Sequence, residues 1–173
     1  GGSGRCLGDQ IRIQLHLDLQ RSGLFRLVDP AGKLPHELAE VSYPDWQARG
    51  AEALAIGTVA VQANGRIEAR FRLLDVVKQA ELVGQSVTAN EGQVRAIGHR
   101  IADLIYEKLT GNKGVFSTRI AFVNRQGKRF RLIVADSDGY NEQAILTQNE
   151  PIMSPAWSPD GSRLAYVSFE DKR

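Results

Sequence analysis

Asp136, Asp138 and Asn141 bring three side-chain oxygens together within a short stretch, a spacing that loosely suits a calcium loop. An EF-hand also requires a bidentate Glu downstream, which this stretch lacks. Asp138-Gly139 therefore reads as the turn between two strands, with Asp136 capping it. His16, His36 and His99 stand far from one another and from the single cysteine, so no metal-ligand spacing is formed. His99 falls in a helical stretch and reads as an exposed or hydrogen-bonded helical histidine. Asp160 lies in Pro159-Asp160-Gly161, where the turn alone explains it: Pro fixes φ, Asp bonds its own backbone and Gly takes the positive-φ position. The chain has no phosphate loop, no Gly-x-Ser-x-Gly elbow and no dinucleotide fingerprint. Trp46, Trp157, Tyr166 and Phe169 read as core. No catalytic, cofactor-binding or metal residue is expected, and no partner-binding residue can be assigned. The chemistry expected is binding.

Composition narrows the partners. The 22 basic and 20 acidic residues leave a net charge of +2, without a long single-sign run. That argues against nucleic acid or an anionic membrane surface as partner. Arg125, Lys128, Arg129 and Arg131 read as a solvated hairpin edge, where charge discourages edge-to-edge pairing. Cys6 excludes an internal disulfide, which fits a reducing cytoplasm or a periplasmic protein that avoids cysteine. It follows Gly-Gly-Ser-Gly-Arg with no apolar segment, so lipid attachment is not expected. No apolar run approaches the roughly 20 residues of a membrane span, and direct membrane insertion is not expected.

The first domain, residues 1–114, alternates helix and strand signals. Residues 9–22 read as a helix closed by Gly23. Their periodicity is double: Ile11, Ile13, Leu15, Leu17 and Leu19 alternate as in a strand, while Ile11, Leu15 and Leu19 share a helical face. Residues 24–29 read as a short strand ending in an Asp29-Pro30-Ala31-Gly32 turn. Ser42 can cap a short helix to Arg49, with Trp46 on its buried side. Residues 53–62 and 66–73 read as a hairpin about Asn64-Gly65, a type I′ signal. Ile67, Ala69, Phe71 and Leu73 face inward on the return strand, and Arg66, Glu68, Arg70 and Arg72 face outward. Residues 80–88 complete a meander. Asn90 then caps a long helix over residues 91–109, with Val94, Ile97, Ile101, Leu104, Ile105 and Leu109 at helical spacing. The fold class expected is α+β or α/β: one mixed sheet under two main helices. At about 100 residues such a domain could fold alone.

Residues 115–173 read as all-β. Strands are expected at 120–124, 130–135 and 144–147, and a second set begins with Trp157 and residues 164–169. Thr118-Arg119-Ile120-Ala121-Phe122-Val123 returns as Ser162-Arg163-Leu164-Ala165-Tyr166-Val167, with Ile120 and Leu164 44 positions apart (164 − 120). That period matches the roughly 40–45 residues of a propeller blade, and a propeller needs several blades to bury its faces. The chain stops as the second copy begins, and it lacks an initiator Met and a signal segment. It therefore reads as part of a longer protein, with a truncated all-β propeller of about one blade. Such a part is expected to expose strand edges and to be mobile or aggregation-prone.

The segment Ser154-Pro155-Ala156-Trp157-Ser158-Pro159-Asp160-Gly161, with Asp136-Ser137-Asp138-Gly139-Tyr140-Asn141 before it, resembles the TolB family. So do Leu19-Gln20-Arg21-Ser22-Gly23-Leu24-Phe25, Tyr106-Glu107-Lys108-Leu109-Thr110-Gly111 and Gly114-Val115-Phe116-Ser117-Thr118-Arg119-Ile120-Ala121. The blocks keep the family's order from about Asp18 onward, whereas residues 1–15 are atypical. The resemblance implies an N-terminal α/β domain followed by a six-bladed propeller, in a non-enzymatic periplasmic component of the Tol-Pal system. It implies binding to the lipoprotein Pal, to the C-terminal domain of TolA and to colicins. It also implies a part in outer-membrane integrity, envelope constriction at division and bacteriocin import. None of these contacts maps onto a residue of this chain, and residues 1–173 by themselves are expected to bind neither Pal nor TolA well. A propeller of the prolyl-oligopeptidase type, preceding a hydrolase domain, is the alternative.

Overall fold

The computed structural model describes residues 2–30, 32 and 34–170; side chains 2, 3 and 5 lie outside that description, as does part of the turn expected at 29–32. The chain divides into two compact units, Gly1–Phe116 and Ser117–Arg173.

The first unit opens with helix α1, Gly2–Arg21. The helical of the two periodicities wins: Ile11 and Leu19 are buried, whereas Ile13 and Leu17 are about half exposed. Only at 3.6 residues per turn do Leu7, Ile11, Leu15 and Leu19 reach one apolar surface together. Residues 24–30 form no strand, contrary to expectation. They run alongside the core without a ladder partner, contributing Phe25 and Leu27 to one face of the sheet and Val28 to the other.

A short helix α2, Tyr43–Ala48, begins at Ser42, and Trp46 is its buried residue. The Ser42 hydroxyl makes no capping bond; Pro44 in the first turn, which lacks an N–H, leaves one donor fewer to satisfy. Strands β1 (Ala53–Val61), β2 (Arg66–Asp75) and β3 (Ala80–Asn90) follow as a meander in the order β1-β2-β3. Both pairings are antiparallel, so the sheet is not mixed as expected. The β1–β2 turn is not type I′. Gly65 donates to the Gln62 carbonyl at 2.9 Å and alone takes a positive φ, +75°, which is the three-residue loop of a type I turn plus a left-handed glycine.

Alternation along β2 builds two cores. Ile67, Ala69, Phe71 and Leu73 face α1 and helix α3, Val94–Thr110. Register slips between Leu73 and Leu74, so that Leu82 of β3 bulges and joins Val83 on the helical side. Leu74 and Val76 close instead on Trp46, Ala51, Leu54 and Ile56, which cover part of the sheet's other face. Asn90 and Gln93 form a capping box over a 3-10 turn, Glu91–Gln93, before α3 proper. Gly111, at φ +76°, ends α3 in the left-handed conformation.

In the second unit, β4 (Arg119–Gln126), β5 (Arg129–Asp136) and β6 (Gln143–Gln148) form one antiparallel sheet. Strands β7 (Ile152–Trp157) and β8 (Leu164–Ser168) form a second. Leu132, Ile133 and Ala135 of the middle strand are buried. This is an α+β domain followed by strands of a propeller, as the repeat implied. Among the described residues no helix is long and apolar enough to cross a membrane.

Candidate functional site

The polar groups that fold into defined arrangements lie in four places. The first is between α1 and α3. The apolar stripe of α1 is interrupted by Gln14 and Asp18, one turn apart, and both are buried. Asp18 Oδ1 accepts from Gln14 Nε2 at 3.1 Å and from the Arg21 guanidinium at 2.7 Å. Its Oδ2 lies 2.6 Å from Nδ1 of His99 on α3. A carboxylate offers only acceptors, so Nδ1 carries the proton of that bond. Three donors thus replace the water that an anion at this depth has lost. Gly98, next to His99, lets the helices approach: a Cβ there would stand 2.7 Å from Gln14 Cβ.

The second lies at the end of α3. Asp103 is buried, and its Oδ1 accepts the Phe116 backbone N–H at 2.7 Å. Gly114 rests against Asp103 with no room for a side chain. The Phe116 ring stacks edge-on to Tyr106, which meets Phe25 in the same way, at centroid distances of 5.7 and 6.1 Å. The last residues of the first unit are thereby bound to its core.

The third is the polar face of the β1-β2-β3 sheet, where an open groove of about 380 Å³ is walled by His36 and Glu37 and floored by Thr58, Arg70, Arg72 and Ser86. Its charges are spent on one another. Arg70 binds Glu68 through two bonds of 3.0 and 3.1 Å, and Arg72 meets Glu81 at 2.6 Å. Hydrogen bonds from Arg70 and then Ser86 hold the Glu68 carboxyl below its ordinary value, and Glu68 raises Arg70 in return.

The fourth comprises the turns of the second unit. Asp136 accepts from Asn141 Nδ2 at 2.6 Å, and Asp138 accepts from the Tyr140 amide at 3.1 Å. Gly139 at φ +83° and Asn141 at φ +53° complete a strand-to-strand turn. Asp160 accepts from the Ser158 and Ser162 hydroxyls at 2.6 and 2.7 Å and from the Ser162 amide at 3.1 Å. These bonds, the Ser158 one first, lower its pKa to about 2. All three aspartates take part in turns.

Of the other residues read from sequence, His16, His36 and Cys6 are exposed, and Trp46 is core. Trp157 is half-buried under the Arg119 guanidinium, 5.2 Å from its ring. Tyr166 on β8 and Phe169 just after it are not core: they are 43 % and 49 % exposed, on a two-stranded sheet in which both strands are edges. Sequence reasoning missed Asp18 and Asp103. For Asp18 the signal was there, an acid at helical spacing from Ile11 and Leu15 on the stripe of α1; Asp103, two residues from Ile101 and six from Ile97, is off the stripe read for α3 and gave none. Among the described residues no side chains bring a nucleophile, a base and an oxyanion donor together.

The described residues form a three-stranded α+β domain with a buried polar clamp between its helices, followed by propeller strands. Residues 2–82 match the family described as the TolB amino-terminal domain, and residues 106–173 match the TolB beta propeller domain. The first match reaches well before Asp18, into the segment that read as atypical. The Tol-Pal system protein TolB of Nitrosomonas europaea is 53% identical over 169 residues, covering 98% of this chain and 40% of its own. That of Nitrosospira multiformis is 63% identical over 145 residues, or 84% of this chain and 33% of its own. The crystal structure of TolB from Acinetobacter baumannii superposes with a TM-score of 0.86 at 36% identity, covering 94% of this chain and 42% of that one. The chain belongs to the TolB family. It spans about 40% of the length of the relatives it matches.

Proposed function

We propose that this protein is a non-enzymatic component of the Tol-Pal system, working in the periplasm by binding other proteins. The observation that carries this reading is the pair of family matches in sequence order along one chain, supported by Tol-Pal relatives at 50–63% identity. The partners proposed are the lipoprotein Pal and the C-terminal domain of TolA, with colicins as parasites of the same surfaces. The role proposed is to couple these partners in keeping the outer membrane intact, constricting the envelope at division and admitting bacteriocins. Calorimetric titration of the protein, produced at the length of its relatives, against purified Pal tests the reading. One-to-one saturable binding supports it, and absence of binding by a folded protein overturns it. Residues 1–173 alone are expected to bind Pal weakly.

A further inference from the structure

In the first unit Arg12, Arg21, Arg70 and Arg72 each lie against a carboxylate, while Arg26 and Arg49 meet backbone carbonyls. Arg125, Lys128, Arg129 and Arg131, clustered at the hairpin tip, make no ion pair among the described residues. Glu150, which follows β6, does not pair with them either. Residues 119–135 contain five basic residues and no acidic one (Arg119, Arg125, Lys128, Arg129, Arg131). The tip is also held in shape. Gly127 turns it at φ +61°, and Arg125 Nε donates to the Gly127 carbonyl at 3.1 Å while its guanidinium stacks 5.4 Å from the Phe130 ring. A solvated edge needs neither the ordering nor the uniform sign.

Register adds a direction. Arg131 stands opposite Asn124 on β4 and Thr147 on β6, and Arg129 opposite Gln126, so both arginines point to the same face. Among the described residues β6, like β4, is an edge of this sheet, and β6 carries no charge. A strand added along it would lie about 10 Å from β5, within joint reach of an arginine and a glutamate side chain.

We propose that the β4–β5 hairpin and the adjoining edge of β6 form a docking surface for an extended acidic protein segment, whose backbone pairs with β6 and whose carboxylates meet Arg129, Arg131 and Lys128. This goes beyond the Tol-Pal reading and does not depend on it. Cations without an ion pair among the described residues, next to an edge strand, supply both the charge and the ladder that such a segment requires.

The test is an NMR titration, with octaglutamate, of the isotope-labelled protein produced at the length of its relatives. Saturable shifts confined to the amides of 125–131 and 143–148 are expected. The variant Lys128→Gln/Arg129→Gln/Arg131→Gln should bind at least about tenfold more weakly. Arg129→Lys/Arg131→Lys, which keeps both charges, should retain binding, as should Arg66→Gln/Lys108→Gln/Lys113→Gln, which removes three charges from the first unit. Absent or scattered shifts overturn the proposal, as does equal weakening in the first-unit variant or loss in the lysine variant. Anionic lipid vesicles or a DNA oligonucleotide engaging the same amides at lower concentration than octaglutamate would overturn it too.

Discussion

Oδ2 of Asp18 and Nδ1 of His99, separated by 81 positions in sequence, stand 2.6 Å apart between α1 and α3. Replacing Asp18 by Ala removes the acceptor for three donors, two of them on buried residues. The expected loss is about 3 kcal/mol of stability of the first unit, since an uncompensated buried polar group costs more than the bond it made. Asp18→Asn, which keeps an acceptor, should cost less than Asp18→Ala. Urea denaturation followed by helical circular dichroism measures both, and an Asp18→Ala protein within about 0.5 kcal/mol of wild type would refute the clamp.

Gly98 sets two effects against each other. Alanine gains roughly 1 kcal/mol of helix propensity over glycine, but its Cβ would meet Gln14 Cβ at 2.7 Å and Cγ at 2.9 Å. Those atoms lie close to the α1 backbone and cannot swing away, so the helices must part, at a cost of about 1–3 kcal/mol. Gly98→Ala should be destabilising, while Gly92→Ala, whose Cβ meets nothing within 4 Å, should be neutral. Equal melting temperatures for the two variants would show that the helices are not in close contact.

Asp103 governs the residues that follow α3. Asp103→Ala frees the Phe116 N–H. Amide exchange at Phe116 should then speed up by about tenfold or more, with earlier protease cleavage across residues 111–118, because local opening no longer breaks a charge-assisted bond. Unchanged exchange at that amide would assign its protection to the Phe116–Tyr106 ring contact alone.

The Asp160 turn is sensitive to acid. Its carboxyl titrates at about 2 rather than near 3.8, so its contribution is complete above the ordinary value and is lost as pH falls through about 2. The Ser162 amide resonance should report that titration, with a midpoint near 2, and Asp160→Asn should abolish it. A midpoint near 3.8 would mean that the Ser158 and Ser162 bonds do not persist in solution.

Much of this was legible in residue order. The inward face of β2, the helical stripe of α3 from Val94 to Ile105, the turns at Gly127, Gly139 and Gly161, and the propeller repeat are local or periodic, and periodicity is what a chain carries on its own. The two errors at chain level have one cause. Residues 24–29 have the composition of a strand, and Tyr166 and Phe169 that of core, but strand and core are granted by neighbours. The first segment finds no strand to pair with, and the second faces the open side of a two-stranded sheet. Asn64-Gly65 likewise marked a hairpin, whereas a left-handed glycine alone set its type.

The residue types, the spacing of their apolar positions and the ordered family blocks were settled by the sequence alone, and with them the fold class and the family. Only the tertiary structure decided that Asp18 and Asp103, ordinary helical acids on paper, are buried acceptors, and that the hairpin cations make no ion pair among the described residues while Arg70 and Arg72 of the first sheet do. The reason is physical: periodicity reports which face a residue takes, but the partner that satisfies a charge comes from another part of the chain, and only folding brings the two together.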